Sequence, residues 1–264
     1  MPNSPESCGL TKRIFLGVLL CWLVGLPLRA MAQESAPLEI LTENLAPYNY
    51  LDRGRLKGVC AEVVLELIRR TDTSIDSGIR VLPWSRAYAI AQENRPVALF
   101  CTARSPQRES LFQWVGPIFH SRVALFKRKG NPASVTSLED AKRYTIGVLQ
   151  NYQAHLFLQE QKFPHIYVIP GTPEQMISLL DTGRVDLWAQ TWATAMFYAK
   201  RTLSPDFQLE EVYPSLFESD IYVAFSLATP QETVQQWNRA LNGMRQDGTY
   251  DTIVKRFRYS LSSD

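Results

Sequence analysis

Along residues 38–101 the apolar positions switch between a period of two and a period near 3.6, and the switches mark alternating strands and helices. LEILTENLAPYNY begins as a strand through Leu38 and Ile40 and breaks at Pro47. LDRGRLKG is a turn, with Gly54 and Gly58 at its flexible positions. CAEVVLELIRR places apolar residues at 63, 64, 67 and 68, a helical stripe. GIRVLPW is a short strand stopped by Pro83, SRAYAIAQENR a second helix with Ser85 as its N-cap, and PVALFC a third strand. CTARSPQRESLFQWVGP then leaves that strand as a loop with two arginines and large aromatics, and closes in a Gly-Pro turn.

The alternation resumes further along. SRVALFKRKG is a strand ending in a basic turn, and Ser137 stands three residues before Asp140, a helix start of the capping-box kind. YTIGVLQ, IYVIP and VDLWAQT are strands, separated by NYQAHLFLQEQ and by TPEQMISLLDTGR, a helix with Thr172 as N-cap, Pro173 in its first turn and Gly183 at its end. SDIYVAFS is a further strand, and two helices close the chain. Strand–helix–strand order predicts an α/β architecture of mainly parallel sheets with right-handed crossovers. Two strand-like segments, SRVALFKRKG and SDIYVAFS, join the two units. They predict two lobes on a two-strand hinge: residues 33–122 and 222–264 around a second lobe at 123–221.

The first 32 residues stand apart. Lys12 and Arg13 precede an apolar run from Ile14 to Leu28, too short to span a bilayer comfortably, and Ala30-Met31-Ala32 offers small residues where a signal peptidase reads. A signal peptide over 1–32 is expected, with cleavage before Gln33 and export to the periplasm. Leu20 rather than a small residue precedes Cys21, which argues against a lipid anchor there. The mature chain keeps 25 basic and 25 acidic side chains. Such a balance argues against general nucleic-acid or anionic-membrane binding. Cys60 and Cys101 remain as an even pair in an oxidising compartment. His120, His155 and His165 are scattered, so no metal-ligand spacing or nucleophilic triad is apparent. No cofactor is expected.

TENLAPYNY with GVCAEVVLEL, then LPWSRAY, ARSPQRESLFQWVGP, YTIGVLQN, LLDTGRVDLWAQ and DGTYDTIVKRF follow one another in that order over nearly the whole mature chain. Together they resemble the type II periplasmic solute-binding proteins of the family 3 group, which includes the polar amino-acid receptors of ABC importers. PWSRA and WVGP resemble a divergent branch of that group. The resemblance implies a two-lobed periplasmic-binding-protein-like type II fold with a ligand cleft between the lobes. It also implies a bridge between Cys60 and Cys101, which it sets at one edge of the lobe 1 sheet.

The same resemblance implies a ligand site. Arg108, through ARSPQRE, stands where the family grips a ligand carboxylate, and a guanidinium fork suits that task. Arg104 shares the job or shapes the loop, and Thr102 and Ser105 offer hydroxyls beside it. Glu43 lies near the family's acid for a ligand ammonium. The second such acid is missing, because Gln190 and Thr191 stand where an aspartate is common. Asn151 and Tyr152 open the lobe 2 helix whose N–H groups favour an anion. Tyr48, Trp84 and Arg86 supply aromatic and cationic walls. The expected function is a monomeric, non-enzymatic receptor that closes on a small polar, carboxylate-bearing solute, amino-acid-like, and delivers it to ABC permease subunits. The alternatives are a dehydratase-like enzyme on the same fold, with Glu43 and Glu62 as its acid–base candidates, and a sensing module for a membrane signalling protein.

Overall fold

The computed structural model describes residues 37–75, 78–202 and 206–262, so the expected signal peptide lies outside the described residues. The first lobe opens with β1 (Glu39–Thr42), the hairpin β2 (Tyr50–Asp52) and β3 (Arg55–Lys57), α1 (Val59–Thr71), β4 (Ile79–Val81), α2 (Trp84–Ile90) and β5 (Val97–Ala103). A long strand, β6 (Phe112–Arg128), leads to α3 (Leu138–Ala141), β7 (Ile146–Leu149), α4 (Gln153–Glu160), β8 (Ile166–Ile169), α5 (Pro173–Asp181), β9 (Leu187–Thr191) and α6 (Trp192–Ala199). A second long strand, β10 (Leu209–Ser226), returns the chain to α7 (Gln231–Gln246) and α8 (Thr249–Ser262).

One sheet runs through the molecule in the order β4-β1-β5-β10-β6-β9-β7-β8. Its centre is the antiparallel pair β6 and β10, in register from Leu209 opposite Arg128 to Ser226 opposite Phe112. One half of this pair carries β5, which pairs with β10 over Ile221–Phe225, and beyond it the parallel strands β1 and β4. The other half carries β9, which pairs with β6 over Val123–Phe126, and beyond it β7 and β8, also parallel. Two parallel leaves thus share two long strands, the two-strand hinge that SRVALFKRKG and SDIYVAFS suggested. Each leaf has its own apolar core. In the first, Trp237 of α7 is fully buried and meets Phe225 edge-on at 5.1 Å; in the second, Trp188 of β9 packs with Phe126 of β6. Burial of such rings contributes roughly 2–3 kcal/mol each.

Two local readings are corrected. Gly116-Pro117 is not a turn but lies within β6, where the ladder to β10 shifts register between Ile221 and Val223. Tyr222 packs over the glycine so closely that a Cβ there would lie 2.5 Å from its ring, which is why the position carries no side chain. Ser85 does not cap α2. The helix starts one residue earlier, with Pro83 as N-cap, because proline holds the φ of −55° that leads the chain into it. By contrast Ser137 and Thr172 do cap: Ser137 Oγ accepts from Asp140 N–H at 3.1 Å, and Thr172 forms a capping box with Gln175.

Gly58 fixes how α1 leaves the hairpin. Its φ is +111°, and a Cβ would lie 2.2 Å from the backbone oxygen of Tyr48. That oxygen accepts from the Cys60 N–H at 3.0 Å, so loop and helix are locked together at this point. Gly58→Ala is expected to lower the unfolding free energy by about 2 kcal/mol or more. Gly54→Ala, also at positive φ but with nothing within 4 Å of the added carbon, should cost about 1 kcal/mol. Urea unfolding of both variants checks this; equal losses would contradict it.

Candidate functional site

The carboxyl ends of β1 and β5 in one lobe face those of β7 and β9 in the other. Open α/β sheets place their ligand sites at such ends. A cavity of about 70 Å³ lies between them, lined from the first lobe by Glu43, Tyr48, Trp84, Cys101 and Arg108 and from the second by Tyr152, Gln153, Gln190 and Thr191. Ser121 and Ser219 close its floor from the two hinge strands, where they stand directly opposite each other.

Arg108 is the cation of this cavity and is only 3% exposed. The chain leaves β5, turns with Arg108 N–H donating to Ser105 O at 2.9 Å, and thereby points the side chain back under the strand end. One guanidinium nitrogen donates to Ala103 O at 3.0 Å, and another crosses to the second lobe and donates to Asn151 O at 2.8 Å. The group lies over the rings of Trp84 and Tyr88 at 5.1 and 5.2 Å. Its Nε is buried without a hydrogen-bond partner, and no described carboxylate forms an ion pair with it. Burial lowers its pKa, yet a guanidinium stays charged at any physiological pH.

Glu43 is 6% exposed, and burial raises its carboxyl pKa to about 7 against the opposing pull of the Tyr152 phenol and the Arg108 charge. Tyr152 O–H donates across the cleft to a Glu43 carboxylate oxygen. Trp84 Nε1 makes a parallel crossing, donating to Asn151 O at 3.0 Å. Asn151 sits at φ +62° and donates its N–H to His155 Nδ1 at 3.1 Å. Its backbone carbonyl, not its side chain, is therefore what faces the first lobe. In the second lobe Gln190 Oε1 accepts from Thr191 N–H at 2.7 Å, and Gln153 accepts from Ser219 Oγ at 2.5 Å. Thr191 Oγ1 is buried and makes no well-formed hydrogen bond, although the Tyr48 phenol lies near enough to be influenced by it.

The structure brings together Arg108, Glu43, Tyr48, Trp84, Tyr152, Gln190 and Thr191, and turns four other expected residues away. Arg104 is exposed: it pairs with Glu109 through two bonds of 2.7 and 2.5 Å and lies over Trp114 and Tyr222 on the outer side of the loop. Thr102 falls between Cys101 and Ala103, which face the cavity after the bulge of β5 at Cys101, and its hydroxyl turns to the other side, onto Leu99 O at 3.0 Å. Ser105 is buried in the turn, where its backbone carbonyl rather than its hydroxyl orders Arg108. Arg86 lines an outer groove of about 780 Å³ that shares Glu43, Trp84, Leu149 and Tyr152 with the inner cavity. Glu62 lies on the surface, paired with Arg256 at 3.0 Å. Cys60 and Cys101 do meet, both buried, with sulfurs 2.9 Å apart and no bond drawn between them. Sequence reasoning missed Ser121 and Ser219, although both stand at the start of the predicted hinge strands.

A family model for bacterial extracellular solute-binding proteins, family 3, matches residues 38–259. The chain belongs to the family 3 bacterial extracellular solute-binding proteins. Solved structures of similar fold agree. A histidine kinase sensor domain similar to periplasmic binding proteins superposes with a TM-score of 0.74 at 19% identity, covering 83% of this chain and 95% of that one. The GluR0 ligand-binding core from Nostoc punctiforme, in complex with L-glutamate, gives 0.70 at 18% identity over 84% and 99%. The arginine-, lysine-, histidine-binding protein ArtJ from Geobacillus stearothermophilus gives 0.69 at 19% over 83% and 94%. No curated protein sequence matches this one. The family is one of binding proteins and not of enzymes, and no helix among the described residues of this solute-binding protein is long and apolar enough to cross a membrane.

Glu43 makes the fold of this binding protein pH-dependent. Its carboxyl titrates near 7 when folded and near 4.5 when solvated, so the folded state holds the extra proton between those values. Stability from this group is therefore greatest at or below pH 4.5 and is lost as pH rises through 7, by up to about 3 kcal/mol. Glu43→Gln, which keeps an acceptor for Tyr152, should be more stable than wild type at pH 8, with the gap shrinking towards pH 5. Urea unfolding at both pH values tests this, and a gap independent of pH would contradict it.

Proposed function

We propose that this protein is a periplasmic receptor that closes around a small polar solute bearing a carboxylate and presents it to the permease subunits of an ABC importer. One observation carries the reading. The buried guanidinium of Arg108 has an unpartnered Nε on one side of the cleft, and Thr191 Oγ1 makes no well-formed hydrogen bond on the other. A buried cation without an anion is costly, and a ligand carboxylate offers a guanidinium the parallel, charge-assisted bonds that neutral carbonyls cannot. Ligand contacts on both lobes are what shift an open form to a closed one. The first turn of α4, with its N–H groups free of intrahelical partners, lies behind Gln153 and Ala154 on the cavity wall and adds a favourable field for an anion.

The rest follows from the sequence. Residues 1–32 are a signal peptide without lipid attachment, the mature chain is a monomer, and the lobes run 33–122 with 222–264, and 123–221. A second reading has its own support: the histidine kinase sensor domain named above shares this fold. A sensing role would use the same cleft but hand the closed form to a membrane signalling protein. A pull-down with detergent-solubilised membranes, with and without ligand, separates the two by the partner recovered.

A thermal-shift panel of amino acids, hydroxy acids, dicarboxylates, polyamines and aromatic acids identifies ligands by mass action. Arg108→Ala should weaken any carboxylate hit by on the order of 100-fold, or about 3 kcal/mol, while Arg104→Ala should leave affinity within about twofold, as expected of an exposed pair. Unchanged binding by Arg108→Ala would refute the role.

The thiol pair is expected to close on export. Cys60 and Cys101 would each lose a hydrogen to a protein disulfide of the exporting compartment, which leaves as a dithiol. Protein recovered from the periplasm and denatured without reductant should show no free thiol, and its bridge should add about 3–4 kcal/mol to stability. Two free thiols in that sample would contradict this.

A further inference from the structure

We propose, on the reading of the cleft as a carboxylate site, that Tyr152 is a specificity-determining residue: it selects short carboxylates whose second polar group is neutral, a hydroxyl or a carbonyl, over those that carry an ammonium. Glu43 is the one carboxylate among the residues lining the cavity, and Tyr152 O–H occupies one of its oxygens from the opposite lobe. An ammonium brings three donors into a buried site and needs an acceptor for each. Two of the other side-chain acceptors of the second lobe already hold one hydrogen bond each. Gln190 Oε1 takes the Thr191 N–H, and Gln153 Oε1 takes the Ser219 hydroxyl. What the second lobe leaves open is Thr191 Oγ1, beside the Tyr48 phenol; it can donate to a carbonyl or exchange hydrogen bonds with another hydroxyl, whereas an ammonium can use it only as an acceptor.

Charge and size point the same way. Among the lining residues Arg108 is the single basic side chain, and it is the group without an ion-pair partner. The Tyr152 ring packs against Trp84 with centroids 5.9 Å apart, and both residues line the inner cavity and the outer groove. The cavity volume of about 70 Å³ is about half the roughly 150 Å³ that accommodates benzene in an apolar cavity. It suits an acid of a few heavy atoms.

Two isosteric pairs test this by calorimetric titration: glycolate against glycine, and lactate against alanine. Each pair differs in a hydroxyl against an ammonium. Wild type should bind the hydroxy acid at least about tenfold tighter, a difference of ~1.4 kcal/mol. Tyr152→Phe keeps the ring and frees the Glu43 oxygen, so it should narrow that ratio at least about threefold, and circular-dichroism melting confirms that it folds. Arg108→Ala should lose both hydroxy acids. An amino acid that binds as tightly as its hydroxy partner, or a ratio unchanged in Tyr152→Phe, overturns the selection by Tyr152 and leaves the carboxylate reading intact as long as Arg108→Ala still abolishes binding. Failure of all four probes also overturns the selection. The carboxylate reading falls separately, through loss of Arg108 dependence in any longer carboxylate found to bind.

Discussion

The Arg108 guanidinium, buried between two lobes and held by carbonyl oxygens and ring faces rather than by a carboxylate, is the constraint around which the cleft is built. Leaving an ion in a low-dielectric site costs several kcal/mol unless its hydrogen bonds are met. The surrounding structure meets most of them. Trp84 and Tyr88 of α2 supply the ring faces, Ala103 at the end of β5 supplies one carbonyl, and the Asn151 turn supplies the other from across the cleft. His155 holds that turn in place through the Asn151 N–H, and burial keeps the imidazole pKa below its usual value, so that it remains an acceptor. What stays unmet is the Nε, and that residue of unsatisfied charge is what a ligand would complete.

The hinge explains why the site lies where it does. β6 and β10 each run through both leaves of the sheet, so their midpoints lie beneath the place where the two sets of strand ends converge. Ser121 and Ser219 stand at those midpoints, facing each other. Side chains there line the cavity from the strands that both lobes share, whereas Glu43, Trp84 and Arg108 reach Asn151 and Tyr152 from across the cleft. Three cross-cleft bonds join first-lobe side chains to one short turn of the second lobe, residues 151 and 152, and two more cross elsewhere, from Ala46 N–H to the Tyr198 hydroxyl at 3.4 Å and from Gln107 to Glu160 at 2.9 Å.

Much of this was legible from hydrophobic periodicity alone, because each lobe repeats strand and helix with sharp switches of period. The long strands were legible only in part. A Gly-Pro step looks like a turn, and nothing local reveals that Tyr222 of a partner strand needs the space a Cβ would fill. Within the site, Arg108 and Arg104 look alike in sequence, four residues apart in one polar loop. Their fates differ because Arg108 N–H closes a turn onto Ser105, which folds its side chain inward, while Glu109 waits beside Arg104 on the outside. Thr102 was misplaced because β5 is bulged at Cys101, whose φ is +63°, so that Cys101 and Ala103 rather than Thr102 face the cleft. His155 gave no signal, since its role depends on Asn151 taking a left-handed conformation, which asparagine tolerates better than most residues but which one asparagine in a sequence does not fix.

The most direct measurement is a crystal structure of the protein with a bound carboxylate ligand. The account predicts a carboxylate oxygen within hydrogen-bond distance of Arg108 Nε, with the same molecule touching Thr191 from the other lobe. A ligand held elsewhere, with the Arg108 Nε still unpartnered, would contradict it.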